Sequence, residues 1–209
     1  MAVLRELVAA YRVVAVVSGR PASFLAEHLD VDGLLRWGSY GLEEVSVDGS
    51  VIVAPDVRMW RAVIAGAVER ARAVAPAGVG IEDKGVALTL HVRNAPDQEG
   101  WARGFAAAEA KATGLVEHDA KMSVELRPPL DVDKGAVVRK LLAQSGVTAA
   151  CFVGDDLGDL SAFAALDEVA VAVRVAVRSA EVPATLIERA DICVDGPVGV
   201  LALLRSLLP

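Results

Sequence analysis

Three aspartates fall within five residues in Gly154-Asp155-Asp156-Leu157-Gly158-Asp159, directly after the apolar run Ala149 to Val153. Carboxylates packed this closely repel one another unless a cation neutralises them. Hard oxygen donors of this kind suit Mg²⁺, which keeps several waters and adds oxygens from a substrate phosphate. A helix start enriched in Asp for dipole reasons is the other reading, but one Asp would satisfy it. Ser18 closes a second apolar run, Val13 to Val17, and is followed by Gly19 and Arg20. A hydroxyl and backbone N–H groups there can hold a phosphoryl oxygen, although Ser-Gly-Arg-Pro is also an ordinary strand-to-helix turn. Lys134 stands between Asp133 and Gly135 at an expected helix start, where a cation fits the macrodipole poorly unless an anion lies close by.

These residues need elements to position them. Leu4, Leu7, Val8 and Tyr11 have helical spacing, and the continuous run Val13 to Val17 suits a parallel strand covered on both faces. Pro21 fits the first turn of a helix carrying Phe24, Leu25 and Leu29, and a short strand is expected over Leu34 to Ser39. From Glu43 the pattern changes, because Val45, Val47, Val51 and Val53 alternate about Asp48-Gly49, a hairpin signal. Asp56 is expected to cap a helix with the stripe Trp60, Val63, Ile64, Ala67, Val68 and Ala71. Leu88, Leu90, Val92 and then Met122, Val124, Leu126 alternate with polar residues, with a helix expected at 97–112 between them. Clean alternation predicts an antiparallel sheet with one face on a core and an open, charged face. After Pro128-Pro129 the continuous style returns. Asp133 should cap a helix over 134–144, and strands are expected at 149–153, 169–173 and 192–194, with helices after each. The expected organisation is an α/β parallel-sheet core in two parts, 1–42 and 127–209, with an α+β cap inserted at 43–126.

Composition narrows the function classes. Of 209 residues 54% are apolar, which ensures a buried core, yet no uninterrupted apolar run approaches the roughly 20 residues of a bilayer span. A net charge of −7 argues against a nucleic-acid-coating surface but not against a small anionic ligand. Cys151 and Cys193 lie in apolar runs, which predicts buried free thiols in a reducing, cytoplasmic setting. No secretory signal is expected, and neither nucleic acid nor membrane is an expected partner.

A strand-end Ser, a helix-start Lys and a strand-end Asp cluster, with a cap inserted between the first two, resemble the haloacid-dehalogenase superfamily with its Rossmann-like core. Further segments resemble the trehalose-6-phosphate phosphatase family. They include Val13 to Pro21, Gly38-Ser39-Tyr40-Gly41-Leu42-Glu43, Ile81-Glu82-Asp83-Lys84-Gly85 and His91-Val92-Arg93. Lys121 to Pro129, Asp133-Lys134-Gly135 and Gly154-Asp155-Asp156 continue the series in family order. The resemblance implies a Mg²⁺-dependent phosphatase converting trehalose 6-phosphate to trehalose and phosphate. Ser18 and Lys134 would hold the transferring phosphoryl group, Asp155 would ligate the metal, and Asp156 and Asp159 would support the metal site. Arg20, Glu82, Lys84, Arg93, Lys121 and Glu125 would read the sugar hydroxyls. Association with a trehalose-6-phosphate synthase is left open. Tyr40, leaving the core, could reach the substrate or serve as a packed hinge.

The sequence departs from the family at one point. The resemblance implies an Asp-x-Asp-Gly motif on a first, central core strand, supplying the nucleophile and the general acid–base. That motif should precede the Val13 strand, so the expectation is a chain that starts at an internal Met or is otherwise truncated, and is inactive on its own. Asp30-Val31-Asp32-Gly33 has the right letters but follows a helical pattern, and Asp131-Val132-Asp133 leads into Lys134. Two rival readings are kept: a phosphatase for another sugar phosphate, and a non-catalytic phosphosugar-binding module.

Overall fold

The helical spacing of Leu4, Leu7 and Val8 winds Ala2–Ala10 into helix α1, with Leu7 buried. The computed structural model describes residues 1–120, 122–180 and 182–209. Strand β1 (Ala15–Val17) pairs in parallel with β2 (Leu35–Gly38) through helix α2 (Ala22–His28). Beyond β2, one turn of 3₁₀ helix at Ser39–Gly41 leads into β3 (Glu43–Val45) and β4 (Val51–Val53). Strand β3 runs antiparallel to β2, so the hairpin extends the first sheet, whose order is β1-β2-β3-β4. The expected boundary after residue 42 is therefore too early, since the chain divides into units 1–52 with 132–209, and 53–131. The switch from continuous to alternating apolar residues marks a change from parallel to antiparallel pairing, not a change of domain.

The inserted unit begins with α3 (Pro55–Arg58) and α4 (Arg61–Val74). Asp56 does not cap the long helix. It lies in the first turn of α3, where Ala54 is the cap residue and Pro55 takes the opening position. Then come β5 (Gly80–Asp83), β6 (Leu88–His91), α5 (Glu99–Thr113), β7 (Val116–Ala120) and β8 (Ser123–Arg127). All pairings are antiparallel in the order β5-β6-β8-β7. Leu88, Leu90, Val124 and Leu126 pack from the sheet against Ile64, Ala67, Val68, Ala71, Ala102 and Ala106 of the two long helices.

The first unit resumes with α6 (Lys134–Ser145), whose cap Asp133 accepts a 2.7 Å bond from the Ala136 N–H. It continues through β9 (Ala149–Gly154), α7 (Asp159–Ala165), β10 (Val171–Arg178), α8 (Ala184–Glu188), β11 (Ile192–Asp195) and α9 (Gly196–Ser206). Here β9, β10 and β11 are parallel, in the order β11-β10-β9. The unit thus holds two sheets, and among the described residues β1 and β9 each have a strand neighbour on one side only. This arrangement makes β1 and β9 sheet edges. It also corrects the expectation for the thiols: on the edge strand β9 Cys151 is exposed, and Cys193 is half-buried. Among the described residues no helix is long and apolar enough to cross a membrane.

Gly38 ends β2 where the backbone of α2 passes so close that an added Cβ would stand 2.2 Å from the Ala22 nitrogen. Gly38→Ala is expected to destabilise the chain by about 3 kcal/mol through overpacking. Gly104→Ala, in α5 with nothing within 4 Å, should stabilise by about 0.5–1 kcal/mol. Urea denaturation of both variants checks this pair of opposite signs.

Candidate functional site

In the first unit, Asp159 opens α7 and is 2% exposed. Its Oδ2 accepts from the backbone N–H groups of Asp155 at 2.8 Å and Asp156 at 3.0 Å, folding the acidic loop onto the helix start. Its Oδ1 accepts from Lys134 Nζ at 2.6 Å, which ties the loop to the first residue of α6. Lys134 is itself 5% exposed, with its ammonium 3.4 Å from Asp156 Oδ1. Burial works against that ammonium, but Asp159 and then Asp156 outweigh it and hold the lysine above its ordinary pKa. The carboxylates of Asp155 and Asp156 stay exposed, and one oxygen from each of the three aspartates lies within 4.8 Å of the others. The expected cluster of Lys134, Asp155, Asp156 and Asp159 is therefore a single constellation at a parallel strand end.

Ser18 follows β1, and its Oγ accepts from the Arg20 N–H at 3.1 Å in a short turn. Arg20 is exposed, with its guanidinium 5.5 Å from the centre of the Phe24 ring on α2. The bend after β2 carries three successive residues in the left-handed region, Ser39 (φ 48°), Tyr40 (φ 60°) and Gly41 (φ 109°). Buried Glu43 holds that bend, its Oε2 accepting from Ser39 Oγ at 2.9 Å and from the Ala22 N–H at 3.0 Å. The Tyr40 N–H donates to the Ser18 carbonyl at 2.9 Å, so the bend and the Ser18 turn are joined through backbone. Asp30 and Asp32 lie exposed between α2 and β2, in no strand. Asp133 is committed to its helix cap.

The second unit gathers a different set. Glu125 on β8 is 3% exposed and accepts from Arg127 Nε at 2.7 Å, Lys84 Nζ at 2.9 Å and Thr89 Oγ1 at 3.1 Å. Burial pushes the Glu125 carboxyl up, but Arg127 and Lys84 prevail and hold it below the ordinary glutamate range. Register places Glu82, Thr89, Glu125 and His118 in one cross-strand row. Glu82 meets His91 Nε2 at 2.8 Å. The polar face is consequently not the open, solvated surface that alternation suggests, because Thr89 and Glu125 at its centre are buried. Arg93 lies beyond the end of β6. It is exposed in the turn after β6, while Lys121 lies outside the described residues. Sequence reasoning missed Thr89, His91 and Arg127 as partners, although the alternation about Glu125 already put Arg127 on its face.

The model of the trehalose-phosphatase family matches residues 1–189. A trehalose-phosphate phosphatase of Mycolicibacterium paratuberculosis is 34% identical over 166 residues, covering 73% of this chain and 41% of the relative. The chain thus spans less than half of that relative's length. Among solved structures, a trehalose-6-phosphate phosphatase related protein superposes with a TM-score of 0.82 at 22% identity, over 99% of this chain and 84% of its own. A haloacid dehalogenase-like hydrolase from Bacteroides thetaiotaomicron gives 0.67 at 14% identity, over 99% and 92%.

The lowered pKa of Glu125 fixes the sign of an acid effect. Its stabilisation is complete above the ordinary glutamate value of 4.5 and is lost as pH falls through the depressed folded value. Glu125→Gln should cost about 3 kcal/mol at neutral pH by removing the buried negative charge from its ion pairs with Lys84 and Arg127. It should also flatten the acid limb of stability against pH. Denaturant titrations from neutral pH into the acid range check this, and parallel curves for the two proteins would refute it.

Proposed function

From the premise that the chain belongs to the trehalose-phosphatase family, we propose that its fold serves hydrolysis of trehalose 6-phosphate to trehalose and phosphate with Mg²⁺. The observation that carries the reading is Lys134, a buried lysine kept charged at the start of α6 beside the exposed carboxylates that follow parallel strand β9. An ammonium has three donors. One goes to Asp159 and Asp156 stands at longer range, so a phosphoryl oxygen can take another. The Ser18 hydroxyl, which accepts from the Arg20 N–H, would donate its own proton to a second oxygen.

The donor set fits a hard cation. Asp155 is exposed, and its side chain makes no hydrogen bond or ion pair among the described residues. Asp156 is exposed beside it. Both Asp159 oxygens are engaged by Lys134 and by two backbone N–H groups. Asp155 would be the principal ligand, with Asp156 near and Asp159 holding the loop, which suits an ion that takes one or two carboxylates and keeps its waters. Bound Mg²⁺ would neutralise charge on the phosphoryl oxygens. In the second unit Glu82, Lys84, Arg93, Lys121 and Glu125 would read sugar hydroxyls, and Arg20 would add a cation on the first unit. The network about Glu125 supports this, since its members are already desolvated and aligned before a polyol arrives.

Neither Asp-x-Asp run ends a strand, so residues 1–209 are expected to bind the ester without turning it over. This observation also favours a second reading, a phosphosugar-binding module without catalysis. Calorimetry with trehalose 6-phosphate and Mg²⁺ should show binding that weakens at least about tenfold in Lys134→Met. A phosphate-release assay on the same preparation should stay at background. Turnover lost on Asp30→Asn would make Asp30 the nucleophile. A chain that binds neither the ester nor inorganic phosphate would sink both readings, and tighter binding of a different sugar phosphate in a panel would replace the substrate.

A further inference from the structure

We infer that Tyr40 is a positioning residue, whose ring sets the spacing between the Ser18 turn and the Asp155–Asp159 loop and steadies Lys134 between them. Three elements meet that ring. On the side of β1, an ideal Cβ built on Gly19 would stand 2.6 Å from Tyr40 Cζ and 2.7 Å from its hydroxyl oxygen, so the ring lies against a backbone where only glycine leaves room. On the side of β9, a Cβ built on Gly158 would stand 3.6 Å from Tyr40 Cε1, so the ring lies beside the acidic loop with room for no more than about one methyl between them. From α6, Lys134 Nζ lies 5.9 Å from the ring centre, within reach of a cation–π attraction.

The backbone beneath the ring is strained for this placement. Ser39 and Tyr40 both have positive φ, a region that side chains other than glycine rarely adopt. Such a conformation persists only where surroundings over-determine it. Here the Ser39 N–H donates to the Arg20 carbonyl at 2.8 Å, the Tyr40 N–H to the Ser18 carbonyl, and buried Glu43 anchors Ser39 to α2. The strained bend delivers an aromatic ring to one place. That place matters because β1 and β9 share no hydrogen-bonded ladder among the described residues. The sheet does not fix how far Ser18 stands from the acidic loop, and a ring set between Gly19 and Gly158 does.

The inference rests on the phosphate-site reading, since a fixed spacing is useful only if one group is to be held from both turns. Its test uses inorganic phosphate with Mg²⁺ as the probe, on the 209-residue chain. Tyr40→Phe, which keeps the ring, should bind within about twofold of the parent, whereas Tyr40→Ala should weaken binding about tenfold. Gly19→Ala should cost about as much while Tyr40 is present, yet less than about twofold in the Tyr40→Ala background, where its methyl has room. A ligand-free readout accompanies it: the α-proton resonances of Gly19 and Gly158 should be displaced by the ring in the parent and in Tyr40→Phe, and revert in Tyr40→Ala. Additive losses in the Gly19–Tyr40 cycle, or undisplaced glycine resonances, would overturn the positioning role. Displaced resonances in a chain that binds no phosphate would support the ring's placement and overturn the phosphate-site reading alone.

Discussion

Asp159 is the carboxylate on which the first unit's chemistry depends. A buried acid costs free energy to desolvate, and in its place a hydrophobic residue would often leave a fold equally stable. What Asp159 provides is geometry. It takes the N–H groups of Asp155 and Asp156 on one oxygen and the Lys134 ammonium on the other, so one side chain fixes a loop, a helix start and a charge. Lys134 at the first position of α6 is unfavourable for the helix dipole taken alone. Asp159 offsets that cost, and the outcome is a cation held beside exposed carboxylates that repel one another.

The same device recurs. Glu125 gathers Lys84, Thr89 and Arg127 on the inserted unit's sheet, and Glu43 binds the bend after β2 to the start of α2. Glu109 joins α5 to α4 through a two-pronged bond with Arg70, at 2.8 and 2.7 Å. Each of these acids is buried and hydrogen-bonded, and Asp159, Glu43 and Glu109 link segments that no backbone ladder joins. Three of the four stand at or beside residues whose chemistry the sequence had already marked. At Asp159 and Glu43 buried carboxylates locate the loops, while the apolar core locates most of the strands and helices.

That division explains what was legible in the sequence. Strand-end Ser18, helix-start Lys134 and the Asp155–Asp159 loop could be placed because continuous apolar runs and a capping Asp133 bracket them. Strands β5 and β7 were not legible, since both are sheet edges with polar sequences, which edges favour. The partners of Glu125 depend on register across three strands, and no one-dimensional pattern carries register between segments far apart in sequence. Arg93 read as part of an alternating strand, but β6 ends at His91 and the chain turns. The Gly38–Glu43 segment was visible as a motif. Its left-handed bend was not, because Ser and Tyr give no local hint of positive φ; only the tertiary holds on Ser39 and Tyr40 produce it.

The divided sheet has a further physical consequence. The runs at β1 and β9 are of the interior type, with none of the lysines, prolines or bulges that guard natural edges. Backbone bonds between β1 and β9 contribute nothing among the described residues, so side chains must join the two halves of the unit. They do so on both sides. Lys140 of α6 lies 4.1 Å from the centre of the Trp37 ring and 3.7 Å from Glu44, and the Tyr11 hydroxyl donates to the Leu207 carbonyl beyond α9. Val137 of α6 fills the space over Gly41, where a Cβ would come within 2.5 Å of its Cγ2. Helix α6 is thus the element that carries Lys134 into the site and also clamps the bend bearing Tyr40. A displacement of α6 would alter the charge and the spacing together, so the site responds as one mechanical unit rather than as separable residues.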